Sequence, residues 1–170
     1  MIHLNIGSNL ESKFGNRFEN ISITLKLLIN SKLKINKISD FYETPSYPNK
    51  ENPKFLNIGL EIECLYSPEN LIIRFNKIEK ILQRTRGEKN KPRTCDIDLI
   101  DYKGKILASK ELTIPHPKAH LRNFVLFPIK EISPLWIHPI LNKNIDFLIK
   151  KLSFNLRNEI TRIKEHVIID

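Results

Sequence analysis

Two aspartates, Asp96 and Asp98, stand two residues apart in the segment 93–102 (RTCDIDLIDY), where alternation of polar and apolar residues predicts a β-strand. On a strand both carboxylates project from one face while Ile97 and Leu99 point to the other. Carboxylates held this close repel each other unless a hard cation lies between them, so the pair is a candidate magnesium site; a solvated polar strand face is the alternative reading. Just upstream, Arg84, Arg86, Lys89, Lys91 and Arg93 place five cations in ten residues. A charged loop would account for them, but cations and acids at one end of a strand also suit a metal-bound polyphosphate. A third cluster, Pro115-His116-Pro117 followed by His120, Arg122 and Phe124, has i,i+4 histidines. The flanking prolines argue against a helical zinc site, leaving His116 as either a structural histidine or a phosphate contact.

What the sequence lacks narrows the chemistry further. Its five glycines form neither a GxGxxG fingerprint nor a P-loop, since the single Gly-Lys pair is followed by Ile106. A protein that handles phosphate without a glycine cradle must neutralise it with metal and with Arg or Lys side chains.

The elements that would position these groups follow from periodicity. Ile2, Leu4 and Ile6 alternate into a turn at Gly7-Ser8-Asn9, and apolar residues from Phe18 to Ile29 recur at helical spacing. Residues 33–42 and 55–64 read as strands, separated by a proline-rich loop over 43–53; loops of that length are often functional. Ser67-Pro68-Glu69 opens a second helix, expected to end near Arg84, and the Asp96 strand follows. The order βαββαβ predicts an α+β, ferredoxin-like core: one antiparallel sheet with helices packed on it. Beyond it lie a turn at Lys103-Gly104, a proline-studded stretch over 112–139, a helix near 145–152 and a strand-like stretch over 160–169. The whole reads as one domain, 1–170, with a core over about 1–140 and a C-terminal extension over 141–170.

Five motifs in order then match a known family: Gly7-Ser8-Asn9-Leu10, Phe41-Tyr42-Glu43-Thr44-Pro45, Phe55-Leu56-Asn57, Pro92-Arg93-Thr94-x-Asp96-x-Asp98, and Pro115-His116 with Arg122-x-Phe124. The set, spanning about residues 2–135, resembles the 6-hydroxymethyl-7,8-dihydropterin pyrophosphokinases. The resemblance implies pyrophosphoryl transfer from ATP to the hydroxymethyl group of a reduced pterin, with release of AMP. It implies that Asp96 and Asp98 hold two magnesium ions and that Arg84, Arg86 and Arg93 contact phosphates. Glu79, Lys89, Leu99, Thr113, His116 and Arg122 would help seat ATP. Thr44, Pro45, Tyr47 and Asn57 would meet the pterin edge, and Phe55 and Phe124 would stack on its faces. The sequence departs from the family pattern at Lys89-Asn90-Lys91, where an arginine and a loop aromatic are usual, at Phe55 for a frequent Tyr, and at Ser46 for a frequent Pro. A loop closing by charge alone, with a poorer seal, is the expectation.

Composition sets the remaining bounds. The net charge of +9 suggests a polyanionic partner, but 20 lysines against 8 arginines, with 27 Ile and 17 Asn, also fit an A/T-rich codon bias. The arginines are therefore the more informative cations. Two cysteines 31 residues apart argue against a disulfide scaffold, and the N-terminus lacks a secretory pattern, so a cytoplasmic monomer without membrane or nucleic-acid partners is expected. A basic ferredoxin-like RNA-binding module is the rival from another class. It would need aromatics on its central strands, and 55–64 lacks that pattern. A catalytically degenerate pterin- or nucleotide-binding homologue is the other rival, opposed by the retained Arg84, Arg93, Asp96 and Asp98.

Overall fold

The computed structural model describes residues 1–84 and 91–164. Strand β1 (Ile2–Ser8) runs into helix α1 (Arg17–Asn30), whose start is fixed by a capping box: the Asn16 side chain accepts the Phe18 and Glu19 N–H groups, and Glu19 accepts the Asn16 N–H. The second strand of the sequence reading is broken into β2 (Lys34–Ile38) and β3 (Phe41–Thr44). At the break the Ser39 hydroxyl accepts the Gly59 N–H at 2.9 Å, while the Ser39 N–H donates to the Gly59 carbonyl. Both pieces pair with β4 (Phe55–Glu63). Helix α2 (Pro68–Ile81) begins at Ser67, whose hydroxyl caps Asn70 N–H, with Pro68 in its first turn. It ends three residues earlier than expected because Gln83 takes a left-handed backbone, φ 61°. Strand β5 (Asp96–Tyr102) closes the core.

The sheet order β5-β1-β4-β3, antiparallel throughout, is the ferredoxin-like arrangement, with β8 (Thr161–Ile163) added beyond β3. Helices α1 and α2 cover one face, where Ile2, Leu4, Ile6, Leu56, Ile58, Leu60, Ile62, Ile97 and Leu99 are all buried. The other face carries a second core around Ile100, Val125, Leu126, Ile129, Trp136 and Leu148. That core is built by the proline-studded stretch and the C-terminal segment: a short 3-10 turn (Ala119–Leu121), α3 (Asn123–Ile132), α4 (Ile145–Lys151) and α5 (Phe154–Asn158), whereas β6 (Leu107–Ala108) and β7 (Thr113–Ile114) pair with each other and pack against the first core. Among the described residues no helix is long and apolar enough to cross a membrane.

The sequence reading missed α3 because Pro128 sits inside it. A proline removes the N–H that would bond the carbonyl four residues back, here that of Phe124. Strand β1 supplies the missing donor: with its amide nitrogen facing α3, Asn5 donates to the Phe124 carbonyl at 2.8 Å and to the Ile58 carbonyl at 3.2 Å. Beneath the same turn lies Gly59, where an added Cβ would stand 2.8 Å from Pro128 Cβ. Glycine thus lets α3 sit directly on the sheet.

Candidate active site

All the chemistry lies on the α3 face. In β5 the side chains alternate as expected, Ile97 and Leu99 into the first core, Asp96 and Asp98 to the opposite side. Pairing puts Asp96 opposite Gly7 and Asp98 opposite Asn5, while β4 brings Asn57 opposite Gly7 on the other flank. Gly7 leaves room for Asn57, since a Cβ there would lie 2.8 Å from Asn57 Oδ1 and push that side chain aside.

These residues border a cavity of about 600 Å³. Of the residues singled out from the sequence, Thr44, Pro45, Tyr47, Phe55, Asn57, Arg93, Asp96, Asp98, Arg122 and Phe124 line it. Asn57 is buried and its amide donates to the Thr44 hydroxyl at 3.4 Å, leaving its carbonyl oxygen beside Gly7. Each aromatic ring carries a guanidinium over it, Arg93 on Phe55 at 5.9 Å and Arg122 on Phe124 at 5.4 Å. Tyr47, 81 % exposed, stands at the rim.

The acids and the cations answer each other. Arg84 and Arg93 bind the two oxygens of Asp96 at 2.7 and 2.6 Å, and Arg122 reaches Asp98 at 3.2 Å. Burial beside Asp96 pushes Asp98 up to about 7, against the pull of Arg122, Arg84 and Arg93. Counting the Glu79 carboxylate that also holds Arg84, three guanidiniums meet three carboxylates, so the cluster offers both cationic groups for an anion and oxygen donors for a cation. The oxygen donors themselves suit a hard cation such as magnesium, which takes its other ligands from water and phosphate. Among the described residues no set of three or more His, Cys, Asp or Glu forms a ready cage.

His116 sits beside β5, its N–H bonded to the Ile100 carbonyl. Its Nδ1 accepts the Lys118 N–H at 3.1 Å, so the neutral ring carries its proton on Nε2, 3.4 Å from Arg122 Nη1. Two donors converging this way need an acceptor oxygen between them. Burial first, then the Arg122 charge, lower His116 to about 4 and keep the ring neutral.

Several expected contacts lie off the cavity. Glu79 is buried and its carboxylate holds Arg84 and the Ile97 N–H, the latter at 3.0 Å. The Leu99 side chain is in the first core, and Thr113 lies on the β6–β7 arm. Arg86, Lys89 and Asn90 fall outside the described residues, and Lys91 is exposed. The expected exposed loop runs over 45–54 and is exposed at 47–51, 53 and 54, with Ser46 buried; Arg17 ties its end to β3 by donating to the Lys54 carbonyl and the Glu43 carboxylate. Sequence reading also missed Asn5, Lys118, Leu121, Asn123, Leu156 and Glu159, all lining the cavity. The last two come from the C-terminal segment, fastened by Asn123 Nδ2 donating to the Leu156 carbonyl at 2.7 Å. Only the polar positions of the β1 alternation could have signalled Asn5; nothing local marks Leu156 or Glu159.

Fold and cavity together define an α+β sandwich of ferredoxin-like topology with a carboxylate–guanidinium cluster beside two aromatic rings. The family model "7,8-dihydro-6-hydroxymethylpterin-pyrophosphokinase (HPPK)" matches residues 3–134. A 2-amino-4-hydroxy-6-hydroxymethyldihydropteridine pyrophosphokinase of Aquifex aeolicus is 35 % identical over 144 residues, covering 84 % of this chain and 86 % of that one. Its Bacillus subtilis counterpart is 31 % identical over 131 residues, 76 % of each chain. The chain therefore belongs to the HPPK family of enzymes. It spans only a fifth of the Pneumocystis carinii folic acid synthesis protein fol1, which is 32 % identical over 151 residues. A Plasmodium falciparum HPPK-DHPS triple mutant shares the fold with a TM-score of 0.72 at 16 % identity, over 95 % of this chain and 44 % of that one.

Proposed function

We propose that this chain transfers pyrophosphate from ATP to 6-hydroxymethyl-7,8-dihydropterin, releasing AMP, as a step of folate synthesis. The observation that carries the reading is one cavity with two chemistries: paired acids and guanidiniums at one side, aromatic rings with a buried amide at the other. Phe55 and Phe124 would hold a flat heterocycle by stacking, and Asn57, with Thr44 and Pro45, would read its donor and acceptor edge. Arg84, Arg93 and Arg122 would take the triphosphate, and the His116 Nε2–H would donate to one of its oxygens. Asp96 and Asp98 would hold two magnesium ions, which neutralise phosphate charge when bound. Transfer then depends on the residues placing the pterin hydroxyl in line with the β-phosphorus and stabilising charge on the leaving oxygen.

Helix α3 packs on the sheet face that an RNA-binding sheet of this topology presents, which speaks against the nucleic-acid reading. Two free thiols fit a reducing, cytoplasmic setting, and the chain is taken to act as a monomer. The test is AMP release from ATP, magnesium and the hydroxymethylpterin. Wild-type protein is expected to release AMP only with the pterin present, and Asp98→Ala none. Turnover by Asp98→Ala at the wild-type rate would refute the metal assignment, and pterin-independent ATP hydrolysis would refute the acceptor.

A further inference from the structure

Beside the active-site cavity lies a second one of about 450 Å³, bordered by the 3-10 turn, α4 and the start of α5. Leu121 and Leu156 line both, so the two cavities share a wall. The functional reading gives the second cavity no task, since neither the paired acids nor any of the arginines reaches it.

Its floor is aliphatic. Leu121, Leu148, Leu152 and Leu156 supply the surface, and Leu148 and Leu152 belong to the core beneath. At the rim Lys143 and Lys151 flank Phe147, with their ammoniums 5.1 and 5.5 Å from its ring centre. Spacings of four put these three residues on one side of α4. Charge at this rim is unbalanced: no Asp or Glu lines the cavity, and neither lysine forms an ion pair among the described residues. The acid between them in sequence, Asp146, is taken by Lys130 at 2.5 Å. Two cations drawn to one ring repel each other, and an exposed ring offsets little of that repulsion. An anionic head between them would offset it.

We propose that this cavity binds a small alkyl carboxylate, its chain on the leucines and its head between Lys143 and Lys151. Three features select that class. The volume is that of a small-molecule site. Lysines are compact point charges without the guanidinium fork that grips phosphate, so a single carboxylate is the better match. The one phenyl ring already carries both ammoniums, which leaves the leucines, and hence an alkyl chain, as the apolar partner. The inference stands apart from the reaction proposed above.

The test is calorimetric titration of the full chain with butanoate, hexanoate and octanoate. Octanoate is expected to bind one to one, and each pair of added methylenes to tighten binding by about tenfold, the scale of burying two CH2 groups. Octylammonium is expected not to bind. In the charge-reversed variant Lys143→Glu/Lys151→Glu the preference is expected to invert, octylammonium binding and octanoate not. Both lysines are exposed and outside the core, so a melting temperature near that of wild type is expected as well. An affinity independent of chain length overturns the proposal. Octanoate binding unchanged in the charge-reversed variant also overturns it, by placing the carboxylate in the arginine cluster of the other cavity. So does the absence of binding by any carboxylate; if wild type then forms dimers that the charge-reversed variant does not, the cavity belongs to a second copy of the chain.

Discussion

The two faces of the sheet are built by the same strands, one residue out of step, and share almost nothing else. Under α1 and α2, β1, β4 and β5 present Ile2, Leu4, Ile6, Ile58, Leu60, Ile97 and Leu99. Under α3 the interleaved positions are His3, Asn5, Gly7, Asn57, Gly59, Glu61, Asp96 and Asp98. Removing apolar area from water contributes about 1.5 to 3 kcal/mol for each large side chain, so the first face supplies stability. The second buries polar groups and holds them by joining elements that are distant in sequence: Ser133 bonds both His3 and Glu61, and Asp101 accepts the Trp136 indole N–H, while His3 Nδ1 is buried without a hydrogen bond. Strand alternation lets one sequence carry both tasks, with stability and chemistry separable by a substitution one position along.

That separation can be broken deliberately. Asp96→Ala is expected to lower kcat at least roughly a thousandfold, the scale of losing charge compensation in phosphoryl transfer, with the melting temperature nearly unchanged. Its neighbour in kind on the other face, Leu60→Ala, is expected to cost about 2 to 5 kcal/mol in chemical denaturation while the folded fraction keeps its kcat. If Asp96→Ala unfolded the protein, or Leu60→Ala abolished turnover in folded molecules, the division of labour would be wrong. Arg93→Ala is expected to reduce kcat more than it raises the KM for ATP, because Arg93 pairs with Asp96 and not merely with bulk charge; the reverse split would make it an anchor only. Gly59→Ala lies between the two behaviours, since its Cβ meets Pro128, and both a lower melting temperature and a raised pterin KM are expected.

The smallest effect is a pH dependence. Half-buried His116 stays neutral down to about 4, whereas in the unfolded chain it protonates near 6.5. The unfolded state therefore takes up the proton first, and stability present above 6.5 is lost as pH falls towards 4. His116→Gln is expected to flatten that part of the stability curve measured by urea titration. An identical curve would mean the ring is solvated in the folded protein.

The core of the fold was legible because its signals are local. Period-two and helical spacing located β1, α1, β4, α2 and β5, and Asn16 and Ser67 sit where caps belong. The acids and arginines were legible as a cluster for the same reason, being close in sequence before they are close in space. What stayed hidden depends on distant partners. Helix α3 contradicts its own proline and survives through Asn5, 119 residues before Phe124. Glu79, expected to help seat ATP, is buried off the cavity and holds Arg84, a partner five residues on that spacing alone does not reveal. Leu156 and Glu159 reach the cavity through packing that no spacing announces.

Strand β1 has a property that only its polar side reveals. A slip of one residue against β4 and β5 would bury the wrong face, but a slip of two would keep Ile2, Leu4 and Ile6 apolar-side in, so hydrophobic pattern alone leaves two registers nearly degenerate. Asn5 under the Phe124 carbonyl, Gly7 against Asn57 and Asn9 on Arg93 each admit a single alignment. Two of these contacts, those of Asn5 and Gly7, also line the cavity, so the register of the central strand and the shape of the site are set by the same residues.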